Sequence, residues 1–337
     1  MTNLLEMRDV TKTFHSGPLW QRDTTVAVDR VSFAVSAEHP KITGVVGESG
    51  SGKTTLALML LGHTMPTDGQ IIYRGKDLVT MSKAERIQFR REVQPIFQDP
   101  FAAFNPFYKV DHVLTMPIQR FGLANSDKDA NKRIHEALEL VGLRPAETLG
   151  RFPHQLSGGQ RQRIMVARAL VCQPKLIIAD EPVSMVDASL RATILAGLQT
   201  LNRDLGISIL YITHDLTTAY QVCDNIMVMY AGSVVEAGNA EKVIRAPEHP
   251  YTRLLIASIP LMDRSKRWSA EEADETAGKS GRKISGCKFA PRCRWAEEVC
   301  WKAAPPLYQT EPDRAAACVL YKENKVLEAQ DMAQVFQ

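Results

Sequence analysis

Nine consecutive residues, Gly47-Glu48-Ser49-Gly50-Ser51-Gly52-Lys53-Thr54-Thr55, restrict what this chain can fold into more than any other stretch. They satisfy G-x-x-x-x-G-K-S/T, the phosphate-binding P-loop pattern. The apolar run Ile42 to Val46 precedes them and the apolar run Leu56 to Leu61 follows, so the segment reads as strand, loop and helix. Glycines let the backbone turn tightly with its N–H groups aimed inward, and the start of the helix adds a positive dipole end at the same point. A polyphosphate fits there. Lys53 is placed to reach the β- and γ-phosphates, and the Thr54 hydroxyl to hold Mg²⁺.

A chain of 337 residues has room for two domains, and 45% hydrophobic with 23% charged residues is ordinary for a globular protein. The net charge of +3, without any block of like charge, argues against nucleic acid as a partner. No apolar stretch reaches the roughly 18 residues needed to cross a bilayer. The N-terminus lacks both a basic and an apolar leader segment, which leads to an expectation of cytosolic placement, with the six cysteines as thiols or metal ligands rather than disulfides.

Along the chain, Leu5 to Val10 and Val26 to Val35 are strand-like, with a loop over 16–24 between them. Phe14, just before that loop, either stacks on a base or packs on the sheet. Ile71 to Tyr73 is a further strand, and Ser82-Lys83-Ala84-Glu85 is a capping box opening a helix to about Arg91. Val93 to Phe97 is strand-like. Strand signals then vanish to about residue 172, and helical segments such as Lys132 to Val141 replace them, which predicts a helical subdomain inserted over about 100–172. Leu176 to Ala179 is apolar throughout, as expected of a strand covered on both faces. A helix from Ala188 to Asp204, a strand from Ile207 to Thr213, a hairpin about Ala231-Gly232 and a helix from Pro250 follow. The alternation is that of an α/β fold with a largely parallel sheet. The expected organisation is 1–262 as the nucleotide-binding domain, 263–285 as a linker poor in apolar residues, and 286–337 as a small tail domain with four of the cysteines.

Three further stretches narrow the kind of P-loop machine. Asp180-Glu181 closes an apolar strand, where Asp180 can hold Mg²⁺ and Glu181 can take a proton from an attacking water. Leu156-Ser157-Gly158-Gly159-Gln160 opens a helix with a start suited to an anion. With the P-loop, Gln98, Asp187 and His214 in that order, residues 4–245 resemble the ATP-binding-cassette (ABC) family. The resemblance implies that Phe14 stacks on adenine, with Trp20 as a weaker rival. It implies that Gln98 contacts Mg²⁺ and the attacking water while responding to a membrane subunit. The signature Ser157 to Gln160, with Ser157 and Gly159 foremost, caps the γ-phosphate on a facing cassette. Asp187 takes the D-loop position, and His214 the switch position beside the γ-phosphate. The chain departs from the family pattern at Met185-Val186 in the D-loop and at Glu38-His39-Pro40-Lys41, where a glycine is usual.

Cys287, Cys293, Cys300 and Cys318 are separated by intervals that match neither a zinc ribbon nor a ferredoxin run, so spacing leaves metal binding and free or bridged thiols open. Cys172 and Cys223 read as small core residues. His249-Pro250-Tyr251-Thr252 and Gly286-Cys287-Lys288-Phe289-Ala290-Pro291-Arg292-Cys293, with the two later cysteines, resemble the C-terminal region of oligopeptide and dipeptide importer ATPases. That resemblance implies a 4Fe-4S cluster on the four cysteines, with zinc as the second choice. It implies a subunit at the cytoplasmic face of the inner membrane, working with two polytopic permease subunits, a second ATPase chain and an extracytoplasmic binding protein. The implied cargo is peptide, with oligosaccharide or nickel as the alternatives. A non-transport ABC ATPase acting on nucleic acid or ribosomes is the rival from another class.

Overall fold

The computed structural model describes residues 3–17, 23–97, 99, 104–184, 186–259, 285–328 and 331–336. Strands β1 (Asn3–Ser16) and β2 (Asp23–Ser36) pair antiparallel, and β4 (Asp68–Tyr73) and β5 (Lys76–Asp77) extend them into a four-stranded sheet in the order β2-β1-β4-β5 among the described residues. Between them run β3 (Ile42–Val46) and α1 (Lys53–Leu60), the strand and helix that flank the P-loop. Helix α2 (Lys83–Glu92) starts in the expected capping box: Ser82 Oγ accepts from Glu85 N, and Glu85 accepts from Ser82 N at 2.8 Å.

Strand β6 (Val93–Ile96) leads into a helical block of α3 (Val110–Phe121), α4 (Asp127–Leu140), α5 (Pro145–Thr148) and α6 (Gly158–Leu170). Helix α4 begins five residues before the apolar pattern suggests, because Ser126 caps a first turn made of polar residues. The chain then returns to the sheet through β7 (Leu176–Asp180), α7 (Ala188–Leu205), β8 (Ser208–Thr213), α8 (Leu216–Val222), β9 (Asn225–Tyr230), β10 (Ser233–Asn239), α9 (Ala240–Arg245) and α10 (Pro250–Ala257).

The main sheet has β9-β3-β8-β7-β6 as a parallel block. Its strands are covered on both faces, so alternate side chains enter opposite cores. Ile177, Ala179, Ile209 and Tyr211 join the core shared with the helical block, while Leu176, Ile178, Leu210 and Ile212 join the core under α1 and the antiparallel sheet.

The β9–β10 hairpin is not an edge of the sheet. Strands β11 (Tyr308–Glu311), β12 (Arg314–Ala316) and β13 (Lys325–Val326) continue the sheet, with β12 antiparallel to β10 at Glu236↔Ala316 and Gly238↔Arg314. The join is buried: Arg314 donates to Glu236 Oε1 at 2.8 Å, and Glu236 also accepts from the backbone N–H groups of Glu248 and His249. The linker expected over 263–285 lies outside the described residues except for Ser285.

Candidate active site

Parallel strands deliver their carboxyl ends to one edge of the sheet, where open α/β folds bind ligands. In the order β3-β8-β7-β6, these ends carry the Gly47–Thr55 loop, His214, Asp180-Glu181 and the approach to Gln98. Gln98 itself is outside the described residues, as are Trp20 and Met185.

Two glycines of the loop are sterically required. A Cβ on Gly47 would lie 2.2 Å from Met229 O and one on Gly52 2.2 Å from Ala27 O, and Gly52 has φ +101°. Helix α1 starts without a side-chain cap and without an acidic residue in its first turn, which leaves its leading N–H groups to an anion. Ser49, Gly50 and Thr54 are exposed at the mouth. Lys53 is buried and folds back onto the loop, donating to Gly47 O at 2.8 Å and Glu48 O at 2.9 Å.

Burial lowers the Lys53 pKa, against the opposing charges of Glu181, Asp180 and Glu48. Burial and the neighbouring Glu181 charge raise the Asp180 carboxyl, against Lys53 and a hydrogen bond from Thr54. The lysine, the threonine hydroxyl and the two carboxylates therefore form one electrostatic cluster. Glu181 holds a left-handed backbone at φ +46°, with its N–H on Ile212 O at 2.8 Å and its Oε1 2.8 Å from His214 Nδ1. Such conformations in non-glycine residues are sparse and collect at functional sites.

Ser157 caps α6 in a reciprocal box with Gln160 at 3.2 and 2.9 Å. Ser157 is exposed, Gly158 is half-buried and Gly159 is buried, on the helical block rather than on the sheet edge. Asp187 is exposed just before α7, and Val186 packs against the main core. Phe14 pairs with Thr25 in the antiparallel sheet, remains 46% exposed, and has Lys12 Nζ 5.3 Å from its ring centroid.

Cys287, Cys293, Cys300 and Cys318 all line one small cavity with His249, Phe289 and Trp295. Burial raises the thiols of Cys287 and Cys293, and pushes that of Cys318 up to about 11. Among the described residues, no group of three or more His, Cys, Asp or Glu side chains is gathered closely enough to hold a metal ion. Cys172 and Cys223 are buried in the core with raised pKa values, as inert thiols are.

Sequence reasoning missed two contacts to the P-loop. Glu48 N donates to Tyr251 Oη at 2.9 Å, and Arg292 forms a fork with the Glu48 carboxylate. Both residues sit in stretches that carry the resemblance to peptide importers, but nothing local in the sequence points them at a loop more than 200 positions away.

Residues 28–184 match the ABC transporter family, and residues 235–300 match the oligopeptide/dipeptide transporter C-terminal region. The chain is 37% identical to the oligopeptide transport ATP-binding protein AppF of Bacillus subtilis, over 94% of this chain and 97% of that one. The chain belongs to the ATP-binding subunits of ABC transporters. It is 39% identical to the oligopeptide transport ATP-binding protein OppF of Salmonella typhimurium, over 86% of each. Its fold is similar to a post-hydrolysis dimer of the ATP-binding cassette MJ0796 bound to ADP and Pi, with a TM-score of 0.62 and 26% identity, covering 70% of this chain and 98% of that one. As an ABC cassette it is an ATPase, and the P-loop α/β architecture is that of the family. No helix among the described residues is long and apolar enough to cross a membrane.

Proposed function

We propose that this cassette is the ATP-hydrolysing subunit of a binding-protein-dependent importer of oligopeptides or dipeptides, held at the cytoplasmic face of the inner membrane. The observation that carries this reading is the peptide-transporter C-terminal region at residues 235–300 in the same chain, and partly in the same sheet, as the P-loop cluster. Oligosaccharide or nickel remains the alternative cargo for the same machine. A role on nucleic acid or ribosomes has no comparable feature in its favour.

Glu181 takes the proton of the attacking water, and His214, hydrogen-bonded to it, contacts the γ-phosphate and positions that water. Lys53 leaves the loop carbonyls for the β- and γ-phosphates. Phe14 stacks on adenine, while Gln98 positions the water. Thr54 and Asp180, whose pKa the nearby Thr54 hydroxyl lowers against the raising effect of burial, are hard oxygen donors suited to Mg²⁺, with Gln98 as a third. Bound there, Mg²⁺ supplies charge neutralisation on the β- and γ-phosphates. Ser157, Gly158, Gly159 and Gln160 cap the γ-phosphate held by a second ATPase subunit, a related chain or a copy of this one, with Asp187 at the contact. In the assembled transporter, Glu181→Gln lowers ATP turnover by roughly 10²-fold or more. Near wild-type turnover overturns the general-base role.

Two polytopic permease subunits complete the machine, and an extracytoplasmic binding protein feeds them. An open groove of about 540 Å³ beside Phe97, just past the end of β6, supports this contact. Its lining combines Phe97, Tyr108 and Met116 with Arg90, Arg120 and Arg168, and Tyr108 and Met116 are exposed. Affinity-tagged chain therefore brings down polytopic membrane proteins, and recovery of ribosomes or nucleic acid instead overturns the importer reading.

The cavity lined by Cys287, Cys293, Cys300 and Cys318 takes a 4Fe-4S cluster on the resemblance of this stretch to peptide-importer ATPases, with zinc as the second choice. One zinc ion would take the sulfurs as direct ligands of a single ion. A cluster shares its thiolates among separate iron atoms. Bound there it supplies a cross-link among Cys287, Cys293, Cys300 and Cys318. Anaerobically purified chain is expected to contain iron and acid-labile sulfide in equal amounts; a colourless, iron-free, folded preparation counts against the cluster.

A further inference from the structure

The Cys287–Cys293 stretch has two faces. Cys287 and Cys293 line the cysteine cavity, while Lys288 and Arg292 point onto the nucleotide loop and the turn behind it. Arg292 Nη1 donates to Glu48 Oε2 at 3.0 Å and Nη2 to Glu48 Oε1 at 3.1 Å. This bidentate fork fixes geometry as well as charge. The guanidinium lies 5.8 Å from the Tyr230 ring centroid and 5.6 Å from that of Phe289, which holds its plane. The hydrogen bonds to Glu48 raise the pKa of Arg292, so it stays charged.

Lys288 acts one step further back. Its Nζ pairs with Asp29 Oδ2 at 2.8 Å and donates to Ala231 O at 2.8 Å, and the adjoining Gly232 N donates to Ser51 O at 3.0 Å. Glu48 is tied at three points: its side chain to Arg292, its N–H to Tyr251, and its carbonyl to Lys53. An unpaired carboxylate at this position would repel the polyphosphate that the loop is built to hold. Paired with Arg292, it becomes a handle on the loop.

We propose that Arg292 is a positioning residue for ATP: it neutralises Glu48 and holds the Gly47–Thr55 loop in its phosphate-accepting shape, so that nucleotide affinity depends on the cysteine-bearing stretch being in place. The inference rests on Gly47–Thr55 being the ATP site. It is independent of what occupies the cysteine cavity.

The test measures equilibrium binding of a fluorescent ATP analogue to the full-length chain, and KM and kcat for ATP in the assembled transporter. Arg292→Ala is expected to raise both Kd and KM by roughly threefold to tenfold with kcat within about twofold, and Arg292→Lys to recover part of the loss. In a Glu48→Gln background, Arg292→Ala has no further effect, because the two act through one contact. Wild-type affinity in Arg292→Ala, or independent losses from the two substitutions, overturns the proposal. Where the alanine variant does not fold, Arg292→Gln takes its place, and wild-type affinity there is equally decisive. Lys53→Ala separates the two levels: if it binds the analogue like wild type, the assignment of the ATP site fails. An equal thermal midpoint across the Arg292 variants excludes general unfolding of the tail as the cause of weaker binding.

Discussion

Glu181 combines a left-handed backbone, a sheet hydrogen bond and a histidine on its carboxylate. Its identity and its neighbour Asp180 were legible in the sequence, because an apolar strand ending in two acids names its own last residues. The conformation was not legible, since a positive φ in a non-glycine residue is imposed by surrounding structure. Glu92 was not singled out at all. Burial alone would raise its carboxyl, but hydrogen bonds from Tyr73 and Gln88 and the charge of Arg74 hold it below its ordinary value. A depressed carboxyl contributes stability that is present above its unfolded pKa of about 4.5 and is lost as pH falls through the lower folded value. Glu92→Gln is therefore expected to cost about 1 kcal/mol at pH 7, with the difference from wild type shrinking below pH ~4.5. Urea titrations across that range check it, and a constant difference contradicts the assignment.

At the scale of elements, caps and joins carry the argument. The reciprocal Ser157–Gln160 box starts α6 and holds the signature at an exposed helix terminus. Ser157→Ala should cost about 1 kcal/mol of stability and also reduce ATP-dependent association of two chains, measured by light scattering. Loss of stability with unchanged association would leave Ser157 as a cap alone. The β10–β12 join depends on Arg314 and Glu236, both buried. Arg314→Met strands a buried carboxylate and is expected to destabilise the chain by about 3 kcal/mol or more, read as a lower denaturation midpoint. Long periodic elements such as α6 and α7, and the apolar strands β3 and β7, were visible in the sequence because their patterns repeat over several residues. Helices α8 and α9 have seven and six residues, and β12 has three. Their existence follows from capping by Asp215 and Asn239, and from pairing with β10, rather than from any local period.

At the scale of the whole molecule, the parallel block of one mixed sheet separates two cores and collects the P-loop, the paired acids and His214 along one edge. The signature begins a helix of the other block, consistent with an active site completed by a second subunit. ATPase activity per chain should accordingly rise with protein concentration in the isolated subunit, whereas a constant specific rate at all concentrations would indicate a self-sufficient monomer. The sequence by itself determined the phosphate loop, the α/β alternation, the inserted helical block and the pair of acids that ends β7, because each is encoded in spacing within a short stretch. Tertiary structure alone decided that strands from the tail extend the cassette's sheet and that Arg292 reaches Glu48. Those pairings are set by how the β-sheet and the buried ion pairs close over more than 70 and more than 200 positions of chain, and no local periodicity records such distances.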